Sequence, residues 1–399
     1  MSKAYGTPLC DTWKTGEARC ESNISQKQKE RIVFQLGVIT EMLSRLSFGQ
    51  AGSIFEENGE FYIKTCLSRG LLLNQRYAIE DIPRGPFKSE RDYYSAHLSA
   101  YFEQAKYFPL GHHCFLAPIP ARSEYNNDAE FRKASDWWSD FVTVESKIDS
   151  SENRVDYVTA GEVLSEKMTN WIDDFSNGIS NGSKPRFAIH HPDLSVNNIF
   201  VDEECNISCV IDWAFCSTVP LSTLLTAPGL PQSRYELDVP LSSMFELGFQ
   251  HGLKENTAPH DIGTNPNLCK VLSRSRPMWL FSRISTFDST ADFHLFQAIW
   301  DLLGNSSQSA AELFRSKQTL QKYKLLHREL KEDDQTKKQI AKLESEYFGN
   351  DLERLAISRK LTLVSEWSSR YCEPRIRSNS NTFIADKRLW NWIRNSLEP

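Results

Sequence analysis

No stretch of this sequence strings together the ~18 apolar residues that a membrane-spanning helix requires, so a span of the bilayer is not expected. Positive charge is in short supply: 46 Lys and Arg against 52 Asp and Glu leave a formal charge of −6. The bases are interspersed with acids rather than gathered into a stripe, and neither nucleic acid nor an anionic membrane surface is an expected partner. Paired cysteines are missing as well. The nine cysteines are scattered and odd in number, with no Cys-x2-Cys, which argues against a disulfide framework and against the common zinc patterns. The opening MSKAYGTPLCDTWKTGEARC holds neither the apolar core of a secretory signal nor an Arg-rich amphipathic presequence. These absences predict a cytoplasmic protein with free thiols. No internal repeat or low-complexity tract is visible, and residues 1–190 contain neither G-x-G-x-x-G nor G-x4-G-K-[ST]. No familiar phosphate-cradling loop therefore precedes the middle of the chain.

What is present is helical periodicity interrupted by a few short strands. Residues 1–25 are polar, rich in turn formers, and read as irregular. Behind a candidate cap at Ser25, Ile32, Val33, Leu36, Ile39, Leu43 and Leu46 recur at helical spacing and predict a helix over 26–46. Ile54 to Ile63 reads as a hairpin turning at Asn58-Gly59, the favoured two-residue turn. Pro83-Arg84-Gly85-Pro86 breaks the chain before a helix over 88–107. Further helices are expected over 128–145 and 161–175, with Trp137, Trp138, Phe141, Met168, Trp171 and Ile172 as core faces. Asn177 to Pro185 has a loop's composition. Short apolar strands follow at 187–190, 198–201 and 207–211. After Pro220 the pattern is helical again, over 244–253, 293–303, a charged stretch at 309–343, and 347–371. Alternating Lys and Glu around Leu313, Leu320, Leu325 and Leu330 predict a solvated helix face there. The fold class that follows is α+β and mainly helical: an irregular segment 1–25, a large unit 26–305 with a small β-hairpin, and a helical extension 306–399.

One stretch concentrates polar chemistry. His190-His191-Pro192-Asp193-Leu194-Ser195-Val196-Asn197-Asn198 leads into the apolar Ile199-Phe200-Val201, a turn follows, and Cys209-Val210-Ile211 ends on Asp212. A hairpin of that length folds back so that Asp212 comes alongside Asn198 and the loop holding Asp193. Three converging oxygen-bearing side chains suit Mg²⁺, a hard cation that takes oxygen ligands from protein and from substrate phosphates. Phosphoryl transfer needs an aligned nucleophile, a carboxylate to take its proton, and cations to offset charge on the phosphate. In that scheme Asp193 orients and deprotonates a substrate hydroxyl, His191 braces the loop by hydrogen bonding, and Asn198 and Asp212 hold Mg²⁺. Any one of Asp193, Asn198 and Asp212 alone would read as a turn residue; all three at this spacing do not. Cys205, Cys209 and Cys216 fit no zinc spacing, His190 reads as structural, His112-His113 as surface or satisfied residues, and Arg84-Gly85 as a tight turn rather than an anion site.

The H-x-D-x4-N loop followed by Ile211-Asp212-Trp213 resembles the catalytic loop and metal-binding aspartate of kinases, and among them the aminoglycoside phosphotransferase and choline kinase-like superfamily. The Ile211–Leu221 run, Arg84–Phe87, Asn153–Tyr157 and Pro228–Arg234 are similar to fungal proteins of the phosphotransferase enzyme family, and the resemblance extends from Met1 to residue 305. It implies a protein-kinase-like C-terminal lobe, ATP as phosphate donor, Mg²⁺ as cofactor and a small hydroxylated molecule as acceptor. Asp193 and His191 would be the catalytic residues, and Asn198 and Asp212 the metal- and nucleotide-binding ones. It also implies that a strand-rich lobe with a Gly-rich loop and a strand lysine should come first. Met1–Gly6 resembles the hinge that follows that lobe, so the chain opens where half the nucleotide site should already stand; Lys64 reads as a surface residue rather than a substitute. The alternative function is a pseudokinase-like binding module, with the helices after Ser309 as a docking surface for a protein partner. A protein kinase is less expected, because no A-P-E segment follows Asp212.

Overall fold

Ser25 and Gln28 start the first long helix, Gln26–Ser44. Ser25 Oγ accepts the Gln28 N–H at 3.3 Å while Gln28 Oε1 accepts the Ser25 N–H at 2.8 Å, a reciprocal cap that satisfies two of the helix's orphan donors. The computed structural model describes residues 4–13, 24–107 (save 74), 125–131, 151–180, 186–255 (save 215 and 233–234), 267–286, 292–303 and 308–350, with a few isolated positions besides. The first helix buries Ile32, Val33 and Leu36 completely and packs on the helix Val239–Glu255. The crossing is a contact of two backbones. A Cβ on Gly37 would lie 2.2 Å from the Phe245 carbonyl oxygen, and one on Gly248 would lie 1.9 Å from that of Phe34, so only glycine fits at either position.

Among the described residues, seven strands form two antiparallel sheets: β1 (Thr7–Pro8), β2 (Gly52–Glu57), β3 (Glu60–Lys64), β4 (Phe187–His190), β5 (Ile199–Val201), β6 (Ile207–Val210) and β7 (Ser217–Pro220). The order is β3-β2-β7-β4 in one sheet and β1-β5-β6 in the other. Asn58 and Gly59 connect β2 to β3 with φ of +56° and +82°, both positive as a type I′ turn demands. The helices Glu90–Tyr107, Ser151–Ser180 and Arg276–Thr286 complete the interior, where Tyr94 meets Phe281 edge-on at 5.5 Å. Among the described residues the main core runs from Leu9 to Phe314, and Val155, Tyr323 and Leu330 form a smaller cluster beside it. The chain is α+β and mainly helical, and among the described residues no helix is long and apolar enough to cross a membrane.

Three elements depart from the expected layout. Residues 1–25 are not irregular throughout: Thr7 pairs with Val201 and Pro8 with Phe200, and Leu9 in the following turn is fully buried. A two-residue edge strand containing proline covers the outer side of β5, where a missing donor is tolerated. Ser151–Ser180 is a single helix, longer at both ends than 161–175 and continuing into the segment expected as loop. Its apolar stripe is disguised because Arg154, Asp156 and Thr159 are also buried. Ser217–Pro220, expected only as an approach to helix, is a central strand with all four residues buried. The charged stretch forms the helices Ala310–Gln318, Gln321–Lys331 and Lys337–Phe348. Leu320 and Leu325 are exposed as expected, but Phe314, Tyr323 and Leu330 are buried. Most of the helix expected at 128–145, His112-His113, and nearly all of 351–399 lie outside the described residues.

Candidate functional site

β5 and β6 carry the candidate site. Ile199 lies opposite Val210 and Phe200 opposite Cys209; Ser208 is then one residue too many before Ile207 meets Val201, a β-bulge. Pairing continues past the strand ends, where the Ile211 N–H donates to the Asn198 carbonyl at 2.9 Å. Ile211 also accepts: His191 Nε2–H donates to its carbonyl at 2.8 Å, and Nδ1 of the same ring accepts the Asp193 N–H at 3.2 Å. That pair of bonds requires the tautomer protonated on Nε2. Trp213 holds the imidazole from the side, edge-on at 4.9 Å between ring centres, and ties its own indole N–H to the Val210 carbonyl at 2.9 Å.

Asn198 is buried and directed. Its Nδ2 donates to the Asp193 carbonyl at 2.8 Å, and its Oδ1 accepts no hydrogen bond among the described residues. The loop between Asp193 and Asn198 is tied down by the Ser195 N–H on the Asp193 carbonyl and by the Val196 N–H on the Pro231 carbonyl, at 3.0 and 3.1 Å. Cys10 of the N-terminal segment donates its N–H to the Val196 carbonyl at 3.1 Å. His191 is buried, Asp193 half-buried and Asp212 exposed. Neither aspartate's carboxylate has a hydrogen bond or ion pair among the described residues. Asp212 has a φ of +59°, in the left-handed region where a side chain is disfavoured and which persists only when its surroundings over-determine it. The two bonds of Ile211 and the one of Trp213 do so here. His190, on β4, has its pKa pushed down to about 4 by burial and by the neighbouring His191, so it is neutral near pH 7.

The structure thus brings the His191–Asn198 loop and Asp212 to one end of the hairpin. Lys64 is elsewhere: it stands at the edge of the other sheet, three strands from His190 in the row Lys64, Ser53, Ser217, His190, and pairs with Glu57. Arg84 spends its guanidinium on the carbonyls of Leu71, Arg76 and Ile79. Cys205, Cys209 and Cys216 are free thiols, and among the described residues no three His, Cys, Asp or Glu side chains cluster as a metal site. The donor set at the hairpin differs in kind: two carboxylates without a cationic partner and one amide oxygen, all oxygen, as a hard divalent cation prefers.

Comparison with protein-family models, with curated proteins and with solved structures gives no match. The chemistry of the site therefore rests on its own groups. Two of its supports were invisible in the motif: Arg31 and Gln35, on the first long helix, grip the hairpin tip. Their only signal in the sequence is two polar residues one helical turn apart beside a buried stripe.

Proposed function

We propose that this chain is the catalytic part of an ATP- and Mg²⁺-dependent phosphotransferase acting on a hydroxyl of a small molecule, with a kinase-like lobe of the aminoglycoside phosphotransferase and choline kinase-like type. The observation that carries the proposal is the double hydrogen bond of Ile211 to Asn198 and His191, immediately before an exposed aspartate in a left-handed conformation. Asn198 Oδ1 and the Asp212 carboxylate would hold Mg²⁺, which when bound offsets negative charge on the transferred phosphate. Asp193, fixed through its backbone by His191, takes the proton of the acceptor hydroxyl; that oxygen bonds to the γ-phosphorus as the bond to the β,γ-bridging oxygen breaks and ADP leaves. His191 is a brace, since both ring nitrogens are already committed.

The test is nucleotide binding with and without Mg²⁺, followed by γ-phosphate transfer to a panel of hydroxylated small molecules. Mg²⁺-dependent binding that weakens in Asn198→Ala and Asp212→Asn is the expected result; no binding at millimolar ATP would sink the proposal for this chain. The lack of a Gly-rich loop in residues 1–190 favours a second reading, a module that binds without transferring phosphate. Thermal stabilisation by a small ligand or protein partner, but not by Mg-ATP, separates the two.

A further inference from the structure

The hairpin that carries the candidate site is gripped at its far end by a helix that belongs to neither sheet. Gln35 Oε1 accepts the Ile207 N–H at 2.9 Å, and Gln35 Nε2 donates to the Cys205 carbonyl at 3.1 Å. One carboxamide therefore occupies the two backbone groups flanking Asn206, as a neighbouring strand would. Arg31, one turn earlier, directs its guanidinium onto Asn206 Oδ1. Within the tip, the Asp202 carboxylate accepts the Glu204 and Asn206 N–H groups at 3.0 and 2.7 Å, and Cys205 takes a φ of +62°. The extra residue Ser208 is held from the other side, its Oγ–H donating to the Tyr5 carbonyl at 2.6 Å.

The register explains why this grip matters. At the tip Asp202 faces Asn206 and Val201 faces Ile207. Continued unchanged, that register would set Asn198 opposite Val210. The bulge shifts it by one, so that Asn198 meets Ile211 instead. A one-residue slip turns a strand's side chains to the opposite face; the bulge therefore places Asp212 one step past the partner of Asn198, in the left-handed conformation that leaves the ladder, where the unbulged register would place it two steps past. We propose that Gln35, assisted by Arg31, is a positioning residue that pins the bulge at Ser208 and so sets the phase in which Asn198 and Asp212 meet. The functional half of this proposal rests on the phosphotransferase reading; the register half does not.

Both halves are tested on the full chain with Gln35→Leu, Gln35→Glu and the control Ile32→Val, a buried change on the same helix that leaves both hydrogen bonds of Gln35 in place. Amide exchange is read at Ile207 and Ile211, and the Mg²⁺ concentration for half-maximal binding is read with a fluorescent ATP analogue. Gln35→Leu is expected to speed exchange at both amides and to raise the Mg²⁺ midpoint about tenfold, the scale of an outer-shell metal partner, with Mg²⁺-free affinity unchanged. Gln35→Glu keeps the acceptor for Ile207 but loses the donor to Cys205, and should fall between. Ile32→Val should lower Tm while leaving the Mg²⁺ midpoint alone. Ile211 exchange in Gln35→Leu within twofold of wild type overturns the proposal, and so does an unmoved Mg²⁺ midpoint. If the wild type binds no nucleotide, the phosphotransferase reading fails and exchange alone decides the register claim.

Discussion

Two regions of this molecule treat their acids in opposite ways. At the seam between the C-terminal helices and the helix Ser151–Ser180, carboxylates are spoken for. Asp333 takes the Arg154 guanidinium at 2.9 Å, Asp334 takes both the N–H and the Oγ–H of Ser151 at 2.8 and 2.7 Å, Asp156 accepts from Gln318 at 2.6 Å, and Glu162 accepts from Lys322 and Tyr323 at 2.6 and 2.5 Å. At the end of the β5–β6 hairpin the reverse holds. Asp193 and Asp212 are positioned by backbone hydrogen bonds and braced by His191 and Trp213, while their carboxylates are left unengaged among the described residues. An acid whose bonds are all internal contributes to stability; one whose backbone is fixed and whose carboxylate is open is arranged to meet something else. The seam also bears on the docking alternative, because Phe314, Tyr323 and Leu330 already bury their side chains against this chain.

Substitution of one acid and one base should break the comparison if it is wrong. On the phosphotransferase reading, Asp193→Asn is expected to lose phosphate transfer by about 10³, within the range that a general base contributes, and to melt at the wild-type temperature, since no bond to the carboxylate is lost among the described residues. A clear fall in Tm would make Asp193 a structural residue like those at the seam. Arg154→Ala should show the opposite profile. Arg154 is 1% exposed and also donates to the Ala105 and Lys106 carbonyls at 2.8 and 2.9 Å, so its loss opens a cavity and strands polar partners. Urea unfolding should register a cost of about 2–4 kcal/mol, with Mg-ATP binding unchanged.

How much of each region could be read in advance follows from sequence separation. Asp193, Asn198 and Asp212 fall within a short span, and the hairpin that unites them is local, so both the strands and the spacing were legible. The Ser25 cap and the Asn58-Gly59 turn were legible for the same reason. Arg154 was not: its partners are 49 and 179 residues away, and a charged residue in a helix announces solvent until those partners are known. Gln35 was equally opaque, reaching 170 and 172 residues along the chain. Thr7–Pro8 and Ser217–Pro220 are too short to show a period of two, and they are strands because of what lies beside them.

The finest test lies at Asp334, a cap supplied from outside its helix. Its carboxylate accepts the first N–H and the hydroxyl of Ser151, where the helix begins, so it satisfies an orphan donor and places negative charge at the positive end of the helix dipole. Asp334→Ala should cost about 1 kcal/mol, the usual worth of a cap, with faster amide exchange confined to the first turn. Ser151→Ala removes the hydroxyl's bond to Asp334 and its longer contact with His327 Nε2 but keeps the N–H bond, and should cost less. If the two residues act as one unit, the double variant will fall short of the sum by about 0.5 kcal/mol or more; simple additivity would mean that the seam is a passive contact. Mg-ATP binding should not change in any of the three. A change in that affinity would mean that the two regions are coupled, and that acids committed to docking also bear on the open pair at the hairpin.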